Sequence, residues 1–129
     1  MHPSATLYQS AATAKDVDAI LALMSDAIQM HSPTKLKPFE GKDIVRFLFG
    51  QLMDVLEDFH FVRAESGGDN ATFYFTCVIC GKQAEGIDSL HLDANGQIDD
   101  FRVMIRPLTA LQALNEEMGR RLAAHSGGA

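Results

Sequence analysis

The sequence lacks the features that mark several large classes of protein. Its 129 residues contain no tryptophan, only two cysteines and only four prolines. Basic residues are also few, because 11 Lys and Arg stand against 17 Asp and Glu and give a formal net charge of −6. Nucleic acids and anionic membranes both bind basic patches, so we expect neither as a partner.

Long apolar runs are absent as well. No stretch approaches the ~20 apolar residues that a membrane helix needs. The first ten residues, MHPSATLYQS, have neither a basic segment nor an apolar one, which is not the pattern of a secretory signal. We therefore predict a cytoplasmic protein. The length and the 47% hydrophobic content fit one globular domain over residues 1–125, with a disordered tail at 126–129.

The two cysteines form a C-x-x-C pattern, Cys77 to Cys80, inside the segment FYFTCVIC. That segment is typical of a β-strand, and residues three apart on a strand point to opposite faces. A second cysteine pair that would complete a zinc site is missing from the sequence. We predict two ordinary thiols, no metal site and no cofactor.

A hairpin over residues 86–107 organises the chain. Asn95-Gly96 predicts a two-residue turn, because such turns favour positive φ at both central residues. Side chains alternate along each strand, so one face of the hairpin is apolar and the other polar. The residues on the apolar face are Asp88, Leu90, Leu92, Phe101, Val103 and Ile105.

Asp88 is the exception on that apolar face. Burial disfavours the charged form of a carboxyl group, so we expect the pKa of Asp88 to lie above its ordinary value. A second interpretation is structural, with the carboxylate paired to an arginine or to a helix N-terminus. The two interpretations predict opposite changes in folding stability when the charge of Asp88 is removed.

The rest of the pattern predicts helices first, then about four antiparallel strands, then a short C-terminal helix. Ser4 is expected to cap the first helix, Asp16 the second and Thr109 the last. This segregation of elements is an α+β pattern, with helices against one face of a curved sheet. The predicted middle elements are a helix over 43–57 and strands over 59–65 and 71–80.

Three stretches carry a resemblance to a known superfamily: KDVDAILALMSDA, HSPTKLKPFEGKDIVRFL and GIDSLHLDANGQIDDFRVMIRPL. In order and spacing the chain resembles nuclear transport factor two-like proteins, which include ketosteroid isomerase and SnoaL-like cyclases. The resemblance implies a cone-shaped α+β barrel, in which a curved, mostly antiparallel sheet wraps around helices and encloses an internal pocket. It also implies a homodimer, which the exposed outer-face residues Tyr74, Val78 and Met104 favour.

Ketosteroid isomerase supplies the most specific comparison of chemistry. Its pattern places Tyr8 and Asp88 at the positions of two hydrogen-bond donors to an oxyanion, and Ser32 at the position of the general base. A serine hydroxyl is not a base at neutral pH unless a neighbour activates it. Other residues considered for that role are His31, His60, His91 and Glu40, although most histidines in such a chain are surface or structural groups.

Two functions follow from the resemblance. In the first, the protein binds a small apolar molecule in the cone cavity without catalysis. In the second, it is a small isomerase, cyclase or hydratase in which Tyr8 and Asp88 are catalytic and stabilise an oxyanion. Tyr8 also has a purely structural interpretation, as a core ring on the first helix. The residues expected to line the pocket are Ser32, Leu48, Phe75, Cys77, Leu90, Phe101, Val103 and Ile105.

Overall fold

The computed structural model describes residues 1–127. The helices are α1 (Pro3–Thr13), α2 (Val17–Ala22), α3 (Lys42–Val55) and α4 (Leu108–Gly127). The strands are β1 (Met24–His31), β2 (Phe39–Glu40), β3 (Leu56–Gly67), β4 (Asn70–Ile79), β5 (Lys82–Leu92) and β6 (Ile98–Arg106). Helix α4 continues to Gly127, and residues 128–129 of the predicted disordered tail lie outside the described residues.

The strands form one six-stranded sheet in the order β2-β1-β6-β5-β4-β3. Strand β1 runs parallel to β6, and the other neighbours are antiparallel. The predicted α+β class, with a curved and mostly antiparallel sheet around helices, is therefore confirmed. The two strands before α3 were not predicted as part of the sheet, because β1 depends on a partner about 70 residues later in the chain.

The helix caps agree only in part with the prediction. Asp16 caps α2 as expected, since its Oδ1 accepts from the Ala19 backbone N–H at 3.1 Å. Ser4 does not cap α1, because His2 Nδ1 accepts from the Ser4 N–H instead. The Ser4 hydroxyl donates to the Gly96 carbonyl at 2.6 Å and so ties α1 to the β5–β6 turn. Helix α4 begins at Leu108, so Thr109 lies inside its first turn, and with 20 residues the helix is longer than the short one predicted.

The β5–β6 turn is longer than the predicted two-residue turn. Asp93 Oδ1 accepts from the N–H groups of Asn95 and Gln97, and Gly96 alone in the turn has a positive φ, of 76°. These side-chain hydrogen bonds stabilise the longer turn together with the backbone hydrogen bonds from Gly96 N–H to the Asp93 carbonyl and from Asp93 N–H to the Gln97 carbonyl. A register shift after His91 restores the predicted alternation, so the apolar residues of β6 still face inward.

The inner face of the sheet carries a chain of aromatic contacts with ring centroids 4.8–6.3 Å apart. Gly86 on β5 makes room for one of these rings, because a Cβ at that position would lie 2.7 Å from Phe75 Cζ. The same Cβ would lie 2.3 Å from the Met104 carbonyl oxygen on the neighbouring strand. The rings in this chain are Tyr8, Phe49, Phe59, Phe61, Phe73, Phe75 and Phe101.

Candidate functional site

Tyr8 and Asp88 meet inside the cone, although they lie 80 residues apart in sequence. Tyr8 Oη on α1 donates a hydrogen bond of 2.7 Å to Asp88 Oδ2 on β5. Both groups are buried, with exposed fractions of 1% for Tyr8 and 5% for Asp88. Strand pairing sets Phe73 and Val103 on either side of Asp88. The partner of the carboxyl group is thus a tyrosine, not the arginine or helix N-terminus of the structural interpretation.

Burial controls the protonation of this pair. The pKa of Asp88 is raised from 3.8 to about 7, because desolvation outweighs the opposing effect of the hydrogen bond from Tyr8. The predicted direction of the Asp88 pKa is confirmed. Burial also raises the pKa of Tyr8 well above 10, and the nearby Asp88 carboxylate raises it further. At neutral pH Tyr8 is therefore a neutral donor, and Asp88 exchanges readily between its two protonation states.

Ser32 follows the last residue of β1 and lies two strands away from Asp88. The parallel register pairs His31 with Arg102, which brings Ser32 to the level of Val103, and Val103 pairs with Asp88 on its other side. Two strand spacings correspond to roughly 10 Å. Ser32 therefore approaches the Tyr8–Asp88 pair without touching it, and Val103 lies between them.

Ser32 opens instead onto a cavity of about 50 Å³ beneath α4. The Ser32 hydroxyl oxygen is buried, and it has no hydrogen-bond partner among the residues that the structure describes. A buried hydroxyl without a partner loses its hydrogen bonds to water, which costs about 1–3 kcal/mol. The cavity is lined by Met30, Ser32, Pro33, Thr34, Lys35, Phe39, Leu48, Leu52, Leu114, Asn115, Met118, Gly119 and Leu122.

The residues predicted to line one pocket are divided by the structure. Ser32 and Leu48 border the cavity beneath α4. Four others, Phe75, Leu90, Phe101 and Val103, are buried in the core, and Ile105 is half-buried at its edge. Tyr8 and Asp88 border neither this cavity nor the outer grooves described below.

The two cysteines diverge as predicted. Cys77 is buried on the inner face of β4, and Cys80 is exposed just after the strand. Both thiols are free. Desolvation raises the pKa of Cys77 to about 11, so this thiol is protonated and unreactive at neutral pH.

A groove of about 570 Å³ lies on the outer face of the sheet, and neither Tyr8 nor Asp88 borders it. A row of paired residues crosses it from β3 to β6: Arg63, Tyr74, Ile87 and Met104. The Arg63 guanidinium stacks 3.9 Å from the centre of the Tyr74 ring. Met104 is 56% exposed, so this row presents apolar surface to its surroundings.

The histidines considered as bases pair with surface carboxylates. His31 lies 2.9 Å from Asp100, His91 2.6 Å from Asp99 and His60 2.8 Å from Asp58. Glu40 is exposed on β2. These four residues do not reach the buried carboxyl group, and in residues 1–127 no three His, Cys, Asp or Glu side chains cluster as metal ligands would.

Sequence reasoning missed the contribution of α4 to the cavity. Leu114, Met118 and Leu122 recur every four residues, and this spacing predicted an apolar helical stripe. In the structure these three residues line the cavity that Ser32 also borders. Periodicity shows which face of a helix is covered but not whether its neighbours fill the space beneath it.

A protein-family model described as the SnoaL-like domain matches residues 5–102. The chain belongs to the SnoaL-like domain family. Among curated proteins, none is significantly similar to it. Across the part of this SnoaL-like protein that the structure describes, no helix is both long and apolar enough to span a membrane.

Solved structures support the same assignment. A protein of Silicibacter pomeroyi DSS-3, described as uncharacterised and with a cystatin-like fold, is 28% identical over 98% of this chain and 89% of that one, with a TM-score of 0.92. A protein of Pseudomonas aeruginosa described as a steroid delta-isomerase is 31% identical over 96% and 92%, with a TM-score of 0.89.

A more distant structure agrees on the fold alone. A SnoaL-like protein of unknown function from Burkholderia thailandensis E264 is 18% identical over 80% of this chain and 92% of that one, with a TM-score of 0.68. The predicted membership of the nuclear transport factor two-like fold is confirmed.

Proposed function

We propose that this SnoaL-like protein binds a small apolar molecule that carries one polar oxygen, in the cavity between α3, α4 and the end of β1. One observation carries the proposal: a buried hydroxyl without a protein partner, that of Ser32, lies in a cavity with mainly apolar walls. Ligand sites are commonly apolar with a few placed polar groups that fix orientation. Ser32 is the polar group of this one.

The size of the cavity limits the part of the ligand that it takes. A space of about 50 Å³ accepts a short apolar end or one edge of a ring. A larger ligand extends toward the protein surface or displaces the side chains between the cavity and the core. Val103 separates Ser32 from Asp88, so movement there brings an oxygen of the ligand toward the Tyr8–Asp88 pair.

We predict that 2-naphthol binds with its hydroxyl-bearing edge in this cavity and its remaining ring atoms extending toward the protein surface. Ser32→Ala should weaken this binding by about 2- to 10-fold. One hydrogen bond contributes about 0.5–1.5 kcal/mol, which corresponds to that range. Naphthol fluorescence can be followed directly, because the protein has no tryptophan. The matched control is Ser10→Ala, a change at an exposed serine of α1 that should leave the affinity unchanged. Equal affinity in the wild type and Ser32→Ala contradicts the proposal.

A second candidate is catalysis of an isomerase, cyclase or hydratase type. The observation that favours it is the Tyr8–Asp88 hydrogen bond, since a neutral tyrosine and a protonated carboxyl are the donors that an enolate oxyanion needs. The similarity to a protein described as a steroid delta-isomerase supports this candidate. The serine at position 32 weakens it, because the catalytic base would then be missing.

The test of this candidate is turnover of a Δ5-3-ketosteroid. We expect no measurable isomerisation by the wild type, because Ser32 does not supply a base. Ser32→Asp should introduce weak activity, and the further change Asp88→Asn should reduce it. Clear turnover by the wild type would mean that another group acts as the base.

We also propose that the protein is a homodimer through the outer-face row of Arg63, Tyr74, Ile87 and Met104. Exposed apolar patches of this kind are covered in stable assemblies. Sedimentation at micromolar concentration should give twice the 14.1 kDa chain mass. Met104→Glu should give the monomer, and Leu36→Glu, at a 98% exposed leucine outside this row, should not. A monomeric wild type contradicts this proposal.

A further inference from the structure

We propose that ligands enter the Ser32 cavity through a portal between Gly119 on α4 and the loop residues 33–35. This inference rests on the proposed function for the identity of the ligand but not for the existence of the portal. It makes Gly119 the residue that limits which molecules are admitted.

The first observation concerns Gly119 itself. Glycine in the middle of a helix costs about 1 kcal/mol relative to alanine, so it is unfavourable there unless space is needed. Gly119 lies within the 20 residues of α4, borders the cavity and is exposed at its rim. A Cβ at this position would have no atom within 4 Å. Gly119 therefore faces open space where α4 borders the cavity, and a larger side chain would have room there.

The second observation is the opposite rim. Ser32, Pro33, Thr34 and Lys35 border this cavity, and the same four residues border a surface groove of about 440 Å³. Lys35 is exposed. The loop thus separates the cavity from the surface groove by a single layer of chain, and Gly119 borders the same cavity from α4.

The third observation explains why the gap stays in place. Arg121, two residues beyond Gly119, donates to Asp54 at 2.7 Å and to Gln51 at 3.0 Å, both on α3. His125 stacks on Phe47 of α3, with ring centroids 3.9 Å apart. These contacts hold the second half of α4 against α3, so the width of the portal depends on the side chain at position 119.

The test measures access to position 32 without relying on ligand affinity. Ser32→Cys is placed in a Cys80→Ser background, which leaves the buried Cys77 as the remaining thiol. Methyl methanethiosulfonate converts the introduced thiol to a methyl disulfide and releases methanesulfinate, and mass spectrometry gives the rate. The Cys80→Ser protein alone gives the background rate from Cys77. Urea unfolding verifies that each variant is folded.

Gly119→Leu and Gly119→Ala form the matched pair. Both remove the glycine and both favour the helix, but only leucine is large enough to fill the gap. We expect leucine to slow labelling at position 32 at least fivefold and alanine to slow it less than twofold. Gly119→Gln provides a second plug of similar volume if the leucine variant does not fold. Equal labelling rates in Gly119→Leu (or Gly119→Gln) and Gly119→Ala would show that the portal proposal is wrong.

The outcomes separate the two proposals. Slower labelling in Gly119→Leu than in Gly119→Ala, together with no naphthol binding by the wild type, supports the portal and contradicts the proposed ligand. If naphthol binds with the same association rate to Gly119→Leu and Gly119→Ala, the portal is wrong and the proposed function still stands.

Discussion

Replacing Asp88 with asparagine should stabilise the protein at pH 8 by about 1–3 kcal/mol. Each pKa unit corresponds to about 1.4 kcal/mol, so a rise from 3.8 to about 7 sets an upper limit of about 4 kcal/mol on the cost of burying the charge. Asparagine removes the charge but adds a second N–H donor, and an unpaired buried donor costs about 1–3 kcal/mol. The expected increase in the free energy of unfolding is the cost of the buried charge minus the cost of the unpaired donor.

The pH dependence has a definite sign. The pKa of Asp88 is higher in the folded protein, so the unfolded chain releases this proton first as the pH rises. The stabilisation by the protonated form is full below about pH 3.8, is lost as the pH rises toward about 7, and changes no further above that. At pH 4 asparagine should therefore be neutral or slightly destabilising.

Urea unfolding of both proteins from pH 4 to pH 8 tests this prediction, because the difference between them isolates Asp88 from the other titrating groups. Tyr8→Phe removes the hydrogen bond that lowers the pKa of Asp88, so it should move the midpoint of the difference curve to higher pH. If asparagine destabilises the protein mainly at pH 8, the carboxylate is an ionised structural group and the oxyanion role of Asp88 is wrong.

Replacing Gly86 with alanine should destabilise the protein by about 3 kcal/mol or more. The new Cβ would lie 2.3 Å from the Met104 carbonyl oxygen, and a backbone atom of a neighbouring strand cannot rotate away. It would also lie 2.7 Å from the Phe75 ring. Overpacking a well-filled core typically costs about 1–3 kcal/mol, and the contact with backbone places this site at the upper end or beyond.

Gly50→Ala is the matched control for that substitution. Gly50 lies within α3, and a Cβ there would have no atom within 4 Å. Alanine should stabilise α3 by about 0.5–1 kcal/mol, because glycine is the less favourable residue in a helix. Adding Phe75→Leu to Gly86→Ala should restore only part of the lost stability, because the clash with the Met104 carbonyl oxygen remains. A Gly86→Ala protein within about 1 kcal/mol of the wild type contradicts the prediction.

The meeting of Tyr8 and Asp88 could be predicted from the sequence for two separate reasons. Alternation placed Asp88 on the apolar face of β5, which does not depend on any relative. The resemblance to ketosteroid isomerase then supplied Tyr8 as its partner. The first inference was correct because strand alternation is a local property. The second was correct because the fold determines which elements face each other.

Other features of the site depend on geometry that one sequence does not encode locally. The β4–β5 register, which pairs Asp88 with Phe73, could not be predicted from the sequence. The register follows from where the chain turns at Gly81, and a one- or two-residue difference there changes every pair. The cavity beneath α4 was missed for a related reason, since its volume is what remains after distant side chains have packed.

The parallel pairing of β1 with β6 has a consequence for how the chain folds. Strands β3 to β6 are consecutive hairpins that can form as they emerge, and one edge of β1 can pair early with β2, but its other edge pairs with β6, about 70 residues downstream. At synthesis rates of about 5–20 residues per second, this second edge stays unpaired for roughly 4–14 seconds on the ribosome. Closing so long a loop also slows refolding in vitro. Stalling of synthesis before β6 would therefore leave this edge of β1 without its partner strand.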